Sequence, residues 1–306
     1  MALNCSCDEL FGNLGTLPCR EGFGPAKKLL FTALEDSTGA KNYLDPALMS
    51  GAAYWNGLIN EADKSARIYP SPTFKTVTNE RSDSAFEDFP DQSTEKLNNG
   101  IRSILATLTQ KGGASPQLVK QLEKGGCIAG GVYIVDNCGN VIGLDNGDGF
   151  LYPIPYDNGS WDVRLNAPIE GEAVLKNTLG FNFTSLLDDG DLNLIAAADT
   201  NAEVLSLNGL LDAVITTSNP TTTSFDASIE YIYSTVGQTN PITGLLGSDF
   251  TLFNENDQLA VTIVTADEGP DGFYPFTFDP QGNGDVLTLT VVKDGLEMST
   301  ATITIP

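Results

Sequence analysis

The residues in this chain whose types and spacing could do chemistry are carboxylates and thiols. The stretch SAFEDFPDQ sets Glu87, Asp88 and Asp91 around Phe86 and Phe89, and paired carboxylates are what glycoside hydrolysis uses. DNGDGF places Asp145 and Asp148 in a glycine-rich turn that loosely resembles a calcium loop. Such a loop needs a bidentate Glu at its twelfth position. Counted from Asp145 that position is Tyr156, which cannot do that job. The neighbouring Asp136, Asn137, Gly139 and Asn140 are equally short of ligands. Among the five cysteines, Cys5, Cys7 and Cys19 lie close together, but CSC is not a CxxC pair and a fourth ligand would have to come from far away. Cys127 and Cys138 complete the set, and Cys138 has no base or cation beside it to make a thiolate.

Histidine is absent altogether. That removes the commonest general base, the commonest zinc ligand and the usual partner of a Ser or Cys nucleophile. The fragments GCIAGG and GGVYIV put glycines around strand residues and lack a Walker lysine or a dinucleotide-binding spacing. The expectation is a protein that is not an enzyme, with no cofactor and no metal. The acidic turns read as tight turns and solvated surface.

Charge is the strongest bulk signal. Sixteen Lys and Arg face forty Asp and Glu over 306 residues, for a net charge of -24. Residues 177–306 carry 18 of the acids and a single cation, Lys293. Sequence-specific nucleic-acid binding needs phosphate-neutralising cations, which that half lacks. An acidic surface can instead let DNA slide past without sticking. No apolar run is long enough to span a bilayer. The first residues, MALNCSCDELFGNL, lack the basic and apolar regions of a secretory signal.

The elements that would position these residues are mostly short strands. DPALMSGAAYWNGLINEADKS predicts a helix over 46–64, with Leu48, Ala52, Trp55 and Ile59 near helical spacing. DQSTEKLNNGIRSILATLTQKGG predicts a second over 93–111, with Ile101, Leu105 and Leu108 on one face. SPQLVKQLEKGG predicts a third over 115–125, opened by Ser115 and Pro116 and stopped by glycine. GPAKKLLFTAL is compatible with a strand or a short helix, and 66–92 reads as extended. From Gly126 onward the runs are short and rich in β-branched and aromatic residues, separated by Asn, Asp and Gly clusters. In GVYIVDNCGNVIGLDNGDGF this gives a strand, a turn, a strand and a second turn.

The predicted fold is mainly β with a helical insertion. An N-terminal α+β domain over 1–200, sandwich- or barrel-forming, precedes an immunoglobulin-like β-sandwich over 201–306, where turns recur every 8–12 residues.

With this organisation, RIYPSPTFKTVTNERSDSAFEDFPDQSTEKLNNGIRS and GGVYIVDNCGNVIGL are similar to segments of tailed-bacteriophage virion proteins, and GLLGSDFTLFNENDQLAVTIVT resembles their C-terminal module. The closest type is the major tail tube protein. The resemblance implies a subunit that assembles in the host cytoplasm into stacked, hexameric rings of the virion. The barrel is closed by sheets from several copies, and the genome passes through an acidic lumen. The implied partners are copies of the chain, other virion proteins such as a terminator, sheath or baseplate, and passing DNA without specific binding; no membrane is involved. Lumen-facing acidic candidates on this reading are Glu80, Asp83, Glu87, Asp88, Asp91, Asp145 and Asp148. Two features depart from the type: the helical insertion is large, and most surplus charge lies C-terminal. Competing expectations are a capsid, head-decoration or other virion protein, and a glycan-binding adhesin with Tyr231, Tyr233, Phe273 and Tyr274 as its aromatic contacts.

Overall fold

The computed structural model describes residues 24–89, 93–109, 116–166, 174–185, 187–197, 203–232 and 240–306. The fold is mixed but dominated by strands, arranged in several sheets, and among the described residues none closes into a barrel. Two compact units divide the chain, residues 1–209 and 210–306.

In unit 1 the order is β1 (Ala26–Ala33), α1 (Ala52–Ile59), β2 (Tyr69–Pro70), β3 (Thr76–Arg81), β4 (Ala85–Asp88), β5 (Thr94–Asn98) and β6 (Arg102–Thr109). There follow α2 (Pro116–Glu123), β7 (Gly130–Asp136), β8 (Val141–Asp145), β9 (Leu151–Tyr152), β10 (Ile154–Pro155), β11 (Asp162–Asn166), β12 (Lys176–Asn182) and β13 (Leu192–Ile195). The first sheet runs β13-β8-β7-β1-β2, with β9 and β10 alongside; the second runs β11-β12-β6-β3; β4 and β5 pair only with each other.

Three layers result. Leu29, Val132, Ile134 and Ile142 of the first sheet meet Ile104, Ala106, Leu108, Leu179 and Phe181 of the second in one core. Leu30, Tyr133, Val135 and Val141 point the other way, onto Met49, Trp55 and Ile68. β7 is therefore buried along its whole length, which explains the near-continuous apolar run GGVYIV. Each large apolar side chain so buried contributes roughly 1.5–3 kcal/mol.

The structure corrects two of the expected helices. The described residues of 93–111, which end at 109, are not helical: 94–98 and 102–109 are strands. In RSILATLT the buried residues are Ile104, Ala106 and Leu108, a spacing of two, while Ile101 and Leu105 of the supposed helical face are exposed. The helix expected over 46–64 shrinks to 52–59. Asp45 turns the chain by accepting the Ala47 N–H at 2.9 Å, and Leu48 is exposed. Met49 is buried instead, and its carbonyl accepts the Trp55 indole N–H at 2.9 Å. The third helix is present as α2, continued by a 3-10 turn over Lys124–Cys127; Ser115 lies outside the described residues. GPAKKLLFTAL forms β1.

One buried cation stands out in β1. Lys28 is 1 % exposed and donates from Nζ to the carbonyls of Leu205, at 3.0 Å, and Leu207. These cap the 3-10 turn Val204–Ser206, where outward carbonyls favour a cation. Burial pushes the amine down to about 8.

Unit 2 comprises β14 (Ala213–Ser218), β15 (Ser224–Tyr231), β16 (Phe250–Asn254), β17 (Leu259–Val261), β18 (Ile263–Ala266), β19 (Phe273–Phe278), β20 (Val286–Val291) and β21 (Ser299–Thr304). They form two four-stranded antiparallel sheets, β14-β15-β19-β18 and β17-β16-β20-β21. Phe225, Ile229, Tyr274, Phe276 and Phe278 from one meet Phe250, Leu252, Leu287, Leu289 and Ile303 from the other in a single core. The alternation of buried and exposed positions in FYPFTF and VLTLTV is what a sheet with one covered face requires.

Candidate functional site

The element of unit 1 least accounted for by its own fold is the hairpin between β3 and β6. β3 leaves the second sheet at Arg81, β4 and β5 form a separate two-stranded ribbon, and β6 re-enters at Arg102. In the ribbon Glu87 lies opposite Glu95 and Asp88 opposite Thr94. The Thr94 hydroxyl donates to Asp88 at 2.6 Å, and the Phe89 N–H to the Ser93 carbonyl at 2.8 Å. Beyond each other, β4 and β5 make no substantial contact with another described element. Phe86 is 60 % exposed and Phe89 39 %. An isolated two-stranded ribbon is marginal in water, and like charges set opposite one another weaken it further.

The base of this arm is, by contrast, firmly held. Arg81 makes a two-pronged ion pair with Asp189 and donates to the carbonyls of Gly100 at 3.1 Å and Leu187 at 2.9 Å. Arg102 shares the same carboxylate and donates from Nε to Asn79 at 2.8 Å. Partial burial opposes ionisation of Asp189, but the Arg81 hydrogen bond and the charges of Arg102 and Arg81 outweigh it and hold the carboxyl below its usual range. Gly100 completes the base with φ +72°; a Cβ there would lie 2.1 Å from the Ser82 carbonyl oxygen.

The acidic residues singled out from the sequence do not share one surface. Glu80 is exposed on the outer face of the second sheet, where β3 runs with alternating exposure. Asp83 is exposed ahead of the ribbon, and Glu87 and Asp88 are exposed on it. Asp91 lies outside the described residues. Asp145 and Asp148 sit in the turn after β8 in the first sheet, beside a shallow depression lined by Pro46, Phe150 and Asn193. Their oxygens serve their own turn and the neighbouring strand β13. Asp145 accepts from the Gly147 N–H at 2.6 Å and from Asn193 at 3.0 Å; Asp148 accepts from the Phe150 N–H at 3.1 Å and the Tyr152 hydroxyl at 2.6 Å. The Tyr152 bond, with that from Phe150, holds Asp148 below its usual range, and the carboxylate pushes the Tyr152 phenol up to about 12.

Among the described residues no group of three or more His, Cys, Asp or Glu is arranged to hold a metal ion. Cys5, Cys7 and Cys19 lie outside them. Cys127 and Cys138 are exposed free thiols. The Cys138 N–H donates to Asp136 at 2.8 Å, within the turn between β7 and β8. Of the aromatics considered for glycan contact in unit 2, Tyr274 is fully buried, Tyr231 packs against the core and Phe273 is 37 % exposed; Tyr233 lies outside the described residues.

A second broad feature is the outer face of the second sheet. In register across it lie Thr76, Thr78 and Glu80 of β3, Ser103, Leu105 and Thr107 of β6, Lys176, Thr178 and Asn182 of β12, and Asp162 and Arg164 of β11. Leu105 is 53 % exposed. The face is rich in hydroxyls and carries charges of both signs.

Sequence reasoning did not find the arm's base. LNNG before β6 is a turn signal that could have split the supposed helix, and Arg81 and Arg102 then fall opposite one another. Asp189 joins them from 87 residues beyond Arg102, a distance over which no local pattern operates. No protein-family model matches the chain, and none of the curated proteins compared with it does.

Proposed function

We propose that the chain is a structural subunit of a tailed-phage virion, of the tail tube type, that assembles with copies of itself into stacked hexameric rings. The observation that carries this reading is the β4–β5 arm: a self-repelling ribbon with two exposed phenylalanines, held at its base by ion pairs and making no substantial contact with another described element. Burying such a ribbon against another copy supplies the packing it lacks. On this reading the second sheet supplies the wall of the channel. Its outer face offers hydroxyls and charges of both signs, so DNA phosphates find no cationic track to bind. Edge strands of open sheets are completed by neighbours around a ring, which removes the hazard of unpaired edges. Unit 2, with two antiparallel sheets over one core, is then an immunoglobulin-like module.

Negative-stain electron microscopy of the concentrated protein tests the proposal. Straight tubes of constant diameter with a central channel are expected. Closed shells or discrete trimers would replace the tube with a capsid or decoration role. Monomers at all concentrations, with and without preformed seeds, would end the assembly reading.

A further inference from the structure

We propose that the arm of one copy docks on the Lys27–Lys75 end of unit 1 in a second copy, giving a head-to-tail contact. This rests on the reading that the chain assembles with itself.

The first ground is what the arm demands of a partner. Its exposed described residues include Asp83, Glu87, Asp88 and Glu95 against the single cation Lys96, with Phe86 and Phe89 beside them. A surface that takes it must be cationic and must offer apolar contact. In a chain of net charge -24 most surfaces repel it.

The second ground is where unit 1 offers such a surface. Several of its cations are already used: Lys28 is buried on carbonyls, Arg81 and Arg102 hold Asp189, and Arg164 pairs with Asp162. Lys41 faces Asp148, and Lys120 and Lys124 flank Glu123 on the α2 segment. Lys27 and Lys75 are brought together from two separate segments of the chain: Lys27 donates from Nζ to the Lys75 carbonyl at 3.3 Å. The segment 71–74 lies along β1 there, through bonds from the Ser71 N–H to the Leu29 carbonyl and from the Phe74 N–H to the Lys27 carbonyl. It brings the half-buried Pro72 to the same end, and the exposed Pro25 precedes Lys27 by two residues. Two lysines on segments that also carry Pro25 and Pro72 suit a ligand made of carboxylates and phenylalanines, through ion pairs and cation–π contacts.

The third ground is direction. The arm extends the second sheet past Arg81 and Arg102, whereas Lys75 precedes β3 and bonds Thr107 near the far end of β6. Donor and acceptor thus sit at opposite ends of one sheet. β6 spans roughly 26 Å at about 3.3 Å per residue, so displacement of one copy along the strand direction brings the acidic end of one against the cationic end of the next. Such a contact is heterologous and leaves both ends open for further copies.

The test uses the full chain. Glu87→Lys with Asp88→Lys on the arm, and Lys27→Glu with Lys75→Glu at the acceptor, are each expected to weaken self-association by about tenfold or more in sedimentation, and the two sets combined to restore it. Circular dichroism establishes that each variant is folded. Carbodiimide coupling of the unaltered protein, mixed from light and nitrogen-15-labelled copies, gives a second readout needing no substitution. Amide links from Glu87 or Asp88 of one isotope to Lys27 or Lys75 of the other are expected. If the protein assembles but the lysine reversals leave association unchanged, or the cross-links join other sites only, this docking is wrong and the assembly reading stands. If the protein never associates, both fall.

Discussion

Arg81 and Asp189, 108 residues apart in sequence, meet through two parallel bonds, Nε to Oδ2 at 3.1 Å and Nη2 to Oδ1 at 2.9 Å. The same carboxylate takes Arg102. One acid therefore ties together the outgoing and returning strands of the arm, and its removal leaves two guanidiniums side by side without their anion. The Asp189 side chain is 53 % exposed, so solvent screening keeps its contribution to about 1 kcal/mol.

Asp189→Asn is expected to loosen the base of the arm without disturbing the core. Hydrogen exchange should accelerate at the amides of 79–82 and 100–102 and stay unchanged in β7. Because the folded carboxyl titrates below its unfolded value, its stabilisation is present above the ordinary carboxylate range near pH 4 and is lost as pH falls through the folded value. Acidification of the unaltered protein should reproduce the effect, and the Asn variant should show no further loosening there. Equal exchange in both proteins at neutral pH would dispose of the latch.

Gly100 gives a sharper geometric test, because Gly147 serves as its control. Both have positive φ, +72° and +80°, but a Cβ on Gly147 meets nothing within 4 Å, whereas on Gly100 it meets the Ser82 carbonyl oxygen at 2.1 Å. Gly147→Ala should cost about 1 kcal/mol from backbone strain alone. Gly100→Ala should cost at least about 2 kcal/mol more, or shift the arm's path, since a carbonyl oxygen cannot yield that far. Comparable denaturation midpoints for the two would show that the turn is not built as described.

Lys28 makes stability depend on alkaline pH. Its folded value of about 8 lies below the ordinary 10.5. Between those values the unfolded chain holds a proton that the folded chain has released, so stability rises with pH across that window. The thermal midpoint of the unaltered protein should climb relative to Lys28→Met between pH 7 and about 9.5, below the range where tyrosines ionise. A constant difference between the two across this range would mean that the amine is not desolvated.

How far these features could be read in advance depended on range. The turns DNCGN and DNGDG and the strands around them rest on neighbouring residues, and the structure has them as β7, β8 and their connections. IRSILATLT was ambiguous because it satisfies two periods at once. Ile101, Leu105 and Leu108 fit a helix, while Ile104, Ala106 and Leu108 fit a strand. Pairing with β3 and β12 on either side decides for the strand, and partners that distant are invisible to periodicity. The arm's acids are visible in the sequence as a cluster. Their separation from the other described elements, and the Arg81–Asp189–Arg102 base, belong to tertiary structure alone.

In unit 2 the decisive residue is Tyr274, whose ring is fully buried and whose hydroxyl donates to the Ile242 carbonyl at 2.9 Å and accepts the Leu245 N–H at 3.3 Å. Tyr274→Phe keeps the ring but strips both backbone groups of this partner, at a cost of about 1–3 kcal/mol. Both tryptophans, Trp55 and Trp161, belong to unit 1, so tryptophan fluorescence follows that unit, while far-ultraviolet circular dichroism follows the strands of both. The substitution should lower the denaturation midpoint seen by circular dichroism and leave the fluorescence midpoint in place. A parallel fall in both signals would show that the two units unfold as one, and no change in either would mean that the Tyr274 hydroxyl carries none of the weight of the 240–246 segment.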